Sequence, residues 1–388
     1  MPRTPKPHVI VAIDFGGSLT KVIYQHRRGQ PQLLTMSPEA TVTTRFAVDK
    51  ICAFNINPVP PEFLCWVQPL DHEGHPIADE VGAVGDLGAQ IAGFNSLNIA
   101  KNEKALYKLM GALSVIHQRL NNQGYKLKPD FRVSVQCMLP ADEYQLGSRF
   151  EKRLQYILST GVLTPSGVIQ PELFSFHCYP EASGVATEFI TRHPHIQNAV
   201  VFMLGHRNTS AVIIREGRIK QFRTSMLGFN QCLEEACGAH GVTPQKYLDA
   251  IFSNHQHRHG DPYAAITPYR DPQQRELAGQ DLRYHLRQAQ ILYVKTLSEW
   301  FDNVLMNESS PDLIFCGGGI NVITPALNEY QPDLPHHYGS GVKIPADFST
   351  DALTHRLDDI YSLFSSLQNR FKFSAHHSLE SSLQKSCA

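Results

Sequence analysis

The 388 residues hold no pair of cysteines at CxxC spacing, no apolar run near the ~18 residues of a membrane span, and no surplus of charge of either sign. Eight scattered cysteines exclude a zinc ribbon and the disulfide framework of a short secreted chain, so reduced, mostly structural thiols are expected. Lys and Arg total 35 against 36 Asp and Glu, and a formal net charge of −1 gives no global pull toward nucleic acid or an anionic membrane. Charged residues make up only 18%, too few for charge-rich disorder or a long coiled coil. The first residues carry no apolar signal core. These absences point to a soluble, cytoplasmic chain of two or three domains, at ~150 residues each.

Several segments alternate strand and turn signals. The β-branched run 8–13 ends in Asp14-Phe15-Gly16-Gly17-Ser18-Leu19-Thr20-Lys21, and 22–25 is apolar again, which predicts two strands joined by a glycine turn. Residues 198–214 repeat the theme: an apolar strand, a polar turn at 205–209, a second strand, then a hairpin at Glu216-Gly217. Further strands are predicted at 131–139, 173–179 and 313–316, whereas 38–87 is Pro-rich and irregular. Helical stripes run from Leu106 to Leu120, from Asp142 through Tyr156, from Leu282 to Leu305 and from Leu353 to Phe371, with fraying expected beyond His376. Two α/β lobes of related design would set their glycine turns face to face across a cleft, where such sheets bind ligands.

Chemistry concentrates in three turns. A glycine pair at Gly16-Gly17 lets backbone N–H groups approach an anion; Ser18 and Thr20 add hydroxyls, and Lys21 a charge for phosphate oxygens. Asp14, at the strand end, is placed to orient a hydrated Mg²⁺. The spacing matches neither GxxxxGK[ST] nor GxGxxG, and a plain β-hairpin turn is the competing reading. Glu181 follows a strand end and is a candidate to polarise a water, or else it merely opens a helix whose dipole favours an acid. The alternating His255, His257 and His259 beside Gly-Asp-Pro read as a solvated loop rather than a metal site. Small basic groups without interleaved aromatics give no case for direct nucleic-acid binding.

Asp14–Lys21 resembles the first phosphate loop of the actin/sugar-kinase/Hsp70 superfamily. Met138-Leu139-Pro140 followed by Glu143-Tyr144 is similar to the Gly-Leu-Pro…Tyr stretch of ParM/StbA plasmid-segregation actins. Tyr179-Pro180-Glu181-Ala182-Ser183-Gly184 is similar to their connecting segment, whose Glu faces the γ-phosphate, and Leu313–Ile320 to their adenosine motif, with Gly317, Gly318, Gly319 and Ile320 against ribose and base. The resemblance places a second phosphate loop at Gly205, His206, Arg207, Asn208 and Thr209. There the family's leading Asp is Met203 and its last Asp is Ser210, and Arg207 or His206 is left to supply positive charge.

The resemblance implies an actin-like (ribonuclease H-like) α/β fold with two related domains around an ATP–Mg²⁺ cleft. They would be residues 1–190, with an insertion at about 33–130, and 191–345, with one at about 232–300; 346–388 would form a helix returning to the first. It implies catalysis by Glu181, slow hydrolysis because of Met203, self-assembly into filaments, and either segregation of plasmid DNA through an adaptor protein or cytoskeletal organisation, with neither nucleic acid nor membrane as direct partner. Two alternatives stand beside it: a small-molecule kinase resembling type II pantothenate or sugar kinases, and a nucleotide-gated scaffold without turnover.

Overall fold

The computed structural model describes residues 6–54, 59–93, 100–237, 240–253, 261–348 and 353–373. His255, His257 and His259, Cys387 and the tail beyond His376 lie outside the described residues.

The strand Val9–Phe15 is buried at all seven positions because both of its faces are covered. Val9, Val11, Ile13 and Phe15 point into a core shared with Leu106, Leu109, Met110, Leu113, Ile116 and Leu120 of helix Lys101–Asn122. Ile10 and Ala12 point the other way, onto Ile360, Leu363, Phe364 and Leu367 of the last helix, Asp358–Phe371. The period of two along the strand thus decides which helix each residue meets. Val9–Phe15 pairs antiparallel with Thr20–His26, which pairs with Gln32–Met36; on its other edge Val9–Phe15 runs parallel to Arg132–Leu139 and that strand to Glu172–Pro180.

A second five-stranded sheet has the same plan. Ala199–Leu204 pairs antiparallel with Thr209–Arg215 and that strand with Arg218–Ser225, while Asp312–Cys316 and His336–Tyr338 follow in parallel. Counting from each lobe's first strand, both sheets run third, second, first, fourth, fifth. The hairpin at Glu216-Gly217 turns with both residues at positive φ, 54° and 66°, the two-residue turn that suits the twist of adjacent strands.

The structure departs from the sequence reading in three places. The region 38–87 is not irregular: it gives helix Arg45–Phe54 and the strands Ala40–Thr44, Trp66–Pro69 and Glu80–Val84, joined by Val162–Thr164 and Gly167–Ile169 in a third sheet. These strands have three to five residues, too few for a clear period. The long helix begins at Pro272, ten residues before its apolar stripe, because Asp271 accepts the Gln274 N–H (2.9 Å) and Pro272 occupies the first turn. The helix expected from Asp142 is split into a 3-10 turn, Tyr144–Leu146, and helix Gly147–Thr160.

No described helix is long and apolar enough to cross a membrane, and the seven described cysteines are all free thiols.

Candidate functional site

Strand register makes the two phosphate-loop candidates equivalent turns. Phe15 pairs with Thr20 and Leu204 with Thr209, so Gly16–Leu19 and Gly205–Asn208 are each the four residues between paired strands. Both turns are tight for the same reason. A Cβ on Gly16 would lie 2.4 Å from the Leu19 carbonyl oxygen, and one on Gly205 2.6 Å from that of Asn208. The same register sets Met203, paired with Ser210, where the first loop has Asp14 paired with Lys21. The third turn follows Asp312–Cys316. Gly317 sits at φ 96° with its α-carbon against the Leu204 backbone, and Gly319 opens helix Ile320–Glu329.

These turns border one cleft. Asp14, Gly16, Gly17, Ser18, Lys21, Glu181, Gly205, His206, Asn208, Gly317, Gly318 and Gly319 line it, as does Met203. Leu19, Thr20, Arg207, Thr209 and Ile320 do not. Thr209 is buried with its hydroxyl donated to the Leu227 carbonyl, Ile320 packs into the second lobe's core, and Arg207 turns away to Glu143 (3.3 Å). Glu143 also accepts the Asn102 N–H (2.8 Å), so one carboxylate ties the second loop to the start of helix Lys101–Asn122. The structure adds Lys101, Arg356, Phe229, Leu248 and Phe252 to the lining. Of these, Lys101 had a signal in sequence: with Lys104 and Lys108 it marks one face of a helix whose other face is apolar. Arg356, on a short turn before the last helix, had none.

Glu181 is 4% exposed and accepts from three donors. Lys101 Nζ donates to its Oε1; Asn208 Nδ2 (2.8 Å) and Ser210 Oγ (3.0 Å) donate to Oε2. The segment is pinned from behind, where Asp359 of the last helix accepts the N–H groups of Ala182 (2.7 Å) and Val185 (3.1 Å). Asp14 is paired with Lys21 at 2.5 Å; burial alone would push its carboxyl up, but Lys21, Lys101 and Lys108 hold it below the usual range. Burial, then Arg356 and Lys101, pulls His206 down to about 4, so at neutral pH it is uncharged. The charge expected in sequence from His206 or Arg207 therefore comes instead from Lys21, Lys101 and Arg356.

Beneath the first loop, Lys108 is 2% exposed, and burial, then Lys101, pulls its ammonium down to about 7. The ordinary value of about 10.4 applies in the unfolded chain, which therefore binds the extra proton between about pH 7 and 10, and stability should rise with pH across that window. The slope from this one group is up to about 1.4 kcal/mol per pH unit. Lys108→Met should remove it and stabilise the fold near neutral pH; denaturant midpoints at pH 6.5 and 9 that rise equally in both proteins would refute this.

The cleft's cations, Lys21, Lys101 and Arg356, fit an anionic nucleotide. Of the side chains that line it, His206 Nδ1 and Asn208 Oδ1 are buried without a partner among the described residues, as are Thr20 Oγ1 and Arg207 Nε outside it. The donor set does not fit Mg²⁺, which asks for one or two available carboxylates beside water and phosphate. Asp14, the expected anchor, is committed to Lys21, Glu181 is committed to Lys101, and Met203 replaces the third carboxylate. No three His, Cys, Asp or Glu side chains converge among the described residues.

The paired sheets and facing loops define an actin-like α/β fold of the ParM type, as their likeness to solved structures shows. Bacillus thuringiensis ParM with ATP superposes with a TM-score of 0.56 at 12% identity, covering 94% of this chain and 100% of that one. An archaeal actin homologue in complex with ADP gives 0.53 at 16% identity over 93% and 99%, and the filament structure of AlfA from a B. subtilis plasmid gives 0.54 at 11% over 92% and 98%. No protein-family model and no curated protein matches the sequence.

Proposed function

We propose that the chain is a cytoplasmic, actin-like nucleotide-binding protein that assembles into filaments when ATP is bound and so moves or segregates plasmid DNA through an adaptor protein. One observation carries the reading: two equivalent glycine turns from a repeated sheet face one cleft, with a third glycine turn alongside. Neighbours of the same fold solved with ATP, with ADP and as a filament support it.

In this reading the Gly16–Leu19 and Gly205–Asn208 turns present backbone N–H groups to the phosphates, and the Gly317–Gly319 turn packs on ribose and base. ATP supplies the energy of the γ-phosphate bond. Glu181 orients the attacking water with the lone pair its three donors leave open, and Met203 offers no second carboxylate, so turnover is slow. Slow hydrolysis then weakens the filament. The two lobes are expected at residues 1–190 and 191–345, with 346–388 returning to the first.

Electron microscopy and pelleting of the purified chain, with and without ATP, test the reading. Filaments that sediment only with nucleotide are expected. An unassembled chain whose ADP release is stimulated by a small-molecule acceptor would replace it with the kinase reading, and tight ATP retention with neither assembly nor phosphate release would leave a scaffold.

A further inference from the structure

Arg356 is a cation of the cleft that no described carboxylate pairs with directly, Asp14 acting on it only from beyond ion-pair distance. Its Nη2 donates to Ser18 Oγ (2.7 Å), its guanidinium lies over the Phe252 ring at 4.6 Å, and among the described residues it makes no ion pair. Its backbone is strapped to both lobes: its carbonyl accepts Lys21 Nζ (2.9 Å), and the carbonyl of His355 accepts the Gly317 N–H (3.2 Å). The position has no slack on the other side, where a Cβ on Gly318 would fall 2.9 Å from Arg356 Cγ. The inner cleft holds about 50 Å³ of free volume, and Arg356 separates it from an outer cavity of about 490 Å³. Arg356 is half-buried and carries no ion pair, and an anion that pairs with its guanidinium recovers the cost of its partial desolvation.

We propose that Arg356, with Lys21 and Lys101, takes the place of a divalent metal: the cleft binds the polyphosphate of a nucleotide on fixed protein cations, without Mg²⁺. The proposal rests on the nucleotide-binding reading. Lys21 and Lys101 each sit on a carboxylate and together neutralise Asp14 and Glu181, so Arg356 is the surplus positive charge among the described lining residues. An entering polyphosphate draws the guanidinium off Phe252 and pairs with it bidentately, as planar guanidinium and phosphate geometry favours. That movement joins the inner cleft to the outer cavity and makes room for the ligand. The ring of Phe252 and the side chain of Leu248 are then uncovered as an apolar wall.

Calorimetric titration of the full chain with ATP, once in EDTA and once in Mg²⁺, tests this directly. Wild-type affinities within about three-fold of each other are expected. Binding in Mg²⁺ that is more than ten-fold weaker in EDTA overturns the proposal and leaves the nucleotide reading standing; no binding in either buffer overturns both. Arg356→Gln, which removes an unpaired charge and so should fold, is expected to bind ATP at least ten-fold more weakly in EDTA, with Mg²⁺ restoring part of the loss. Affinity in EDTA equal to or tighter than wild type would make Arg356 a plug alone and overturn its role as counterion.

Discussion

Replacing Glu181 by alanine is expected to destabilise the fold by about 3–5 kcal/mol, the range for removing one partner of a buried ion pair. Three donors lose their acceptor at once: Lys101, Asn208 and Ser210 all converge on this carboxylate, in a site where Glu181 is 4% exposed. The ammonium of Lys101 is the costly one, because it would stay out of water without a counter-charge. Lys101→Met should therefore rescue much of the loss. The double variant should be more stable than the sum of the two single losses implies, by 1 kcal/mol or more, as expected for groups in direct contact. Denaturant unfolding of the four proteins measures the cycle, and strictly additive losses would show that the pair is not a unit. Glu181→Gln tests turnover without touching Lys101, a cation of the cleft. This variant retains the loops without the carboxylate, and its phosphate release at saturating ATP should fall ~10²-fold below wild type if Glu181 orients water. An unchanged rate would leave Glu181 as a structural anchor between the lobes.

That dual role explains what was and was not legible in the sequence. The inner strands of the two lobe sheets, such as Val9–Phe15 and Ala199–Leu204, are almost wholly buried, and their β-branched runs could be read directly. The edge strands Gln32–Met36 and His336–Tyr338 are short and half-exposed and could not. The two loops stood out because each opens with a glycine between two such inner strands. The equivalence of Met203 with Asp14 follows from the same register. What the sequence could not give is the partner of each charge. Lys101 lies 80 residues from Glu181, and Arg356 lies 338 residues from Ser18; each pairing is created only when separate elements pack together. Without those lysines Asp14 read as a metal anchor, and without Glu143 Arg207 read as a phosphate ligand. The third sheet was missed for a different reason: its strands are short, and its members come from both 40–84 and 162–169.

Gly228→Ala should be among the most damaging single-methyl changes in the chain, and its damage should appear in nucleotide binding. Gly228 has φ −94° and ψ 158°, which any residue adopts, so the requirement for glycine here is one of space. A Cβ would lie 2.1 Å from the Arg207 carbonyl carbon and 2.4 Å from the carbonyl oxygens of Arg207 and His206, all backbone atoms of the second loop. The contact is close because Gly228 leads into helix Phe229–Ala236, whose first N–H groups are spent on that loop: Phe229 donates to the Gly205 carbonyl (3.0 Å) and Asn230 to that of His206 (2.8 Å). An added methyl must either push the loop into the cleft or break these two bonds. The stability loss should reach the upper end of the 1–3 kcal/mol typical of overpacking. ATP affinity should drop at least ten-fold, because Asn208, three residues after Gly205 in the same turn, would leave Glu181. Gly74→Ala is the control. Its φ of 81° also disfavours a side chain, but nothing lies within 4 Å of the new Cβ, so it should lose about 1 kcal/mol and bind ATP as wild type does. Thermal unfolding and calorimetry on both variants decide the matter: a Gly228→Ala protein that is merely less stable, with ATP affinity intact, would show that the second loop does not contact the nucleotide.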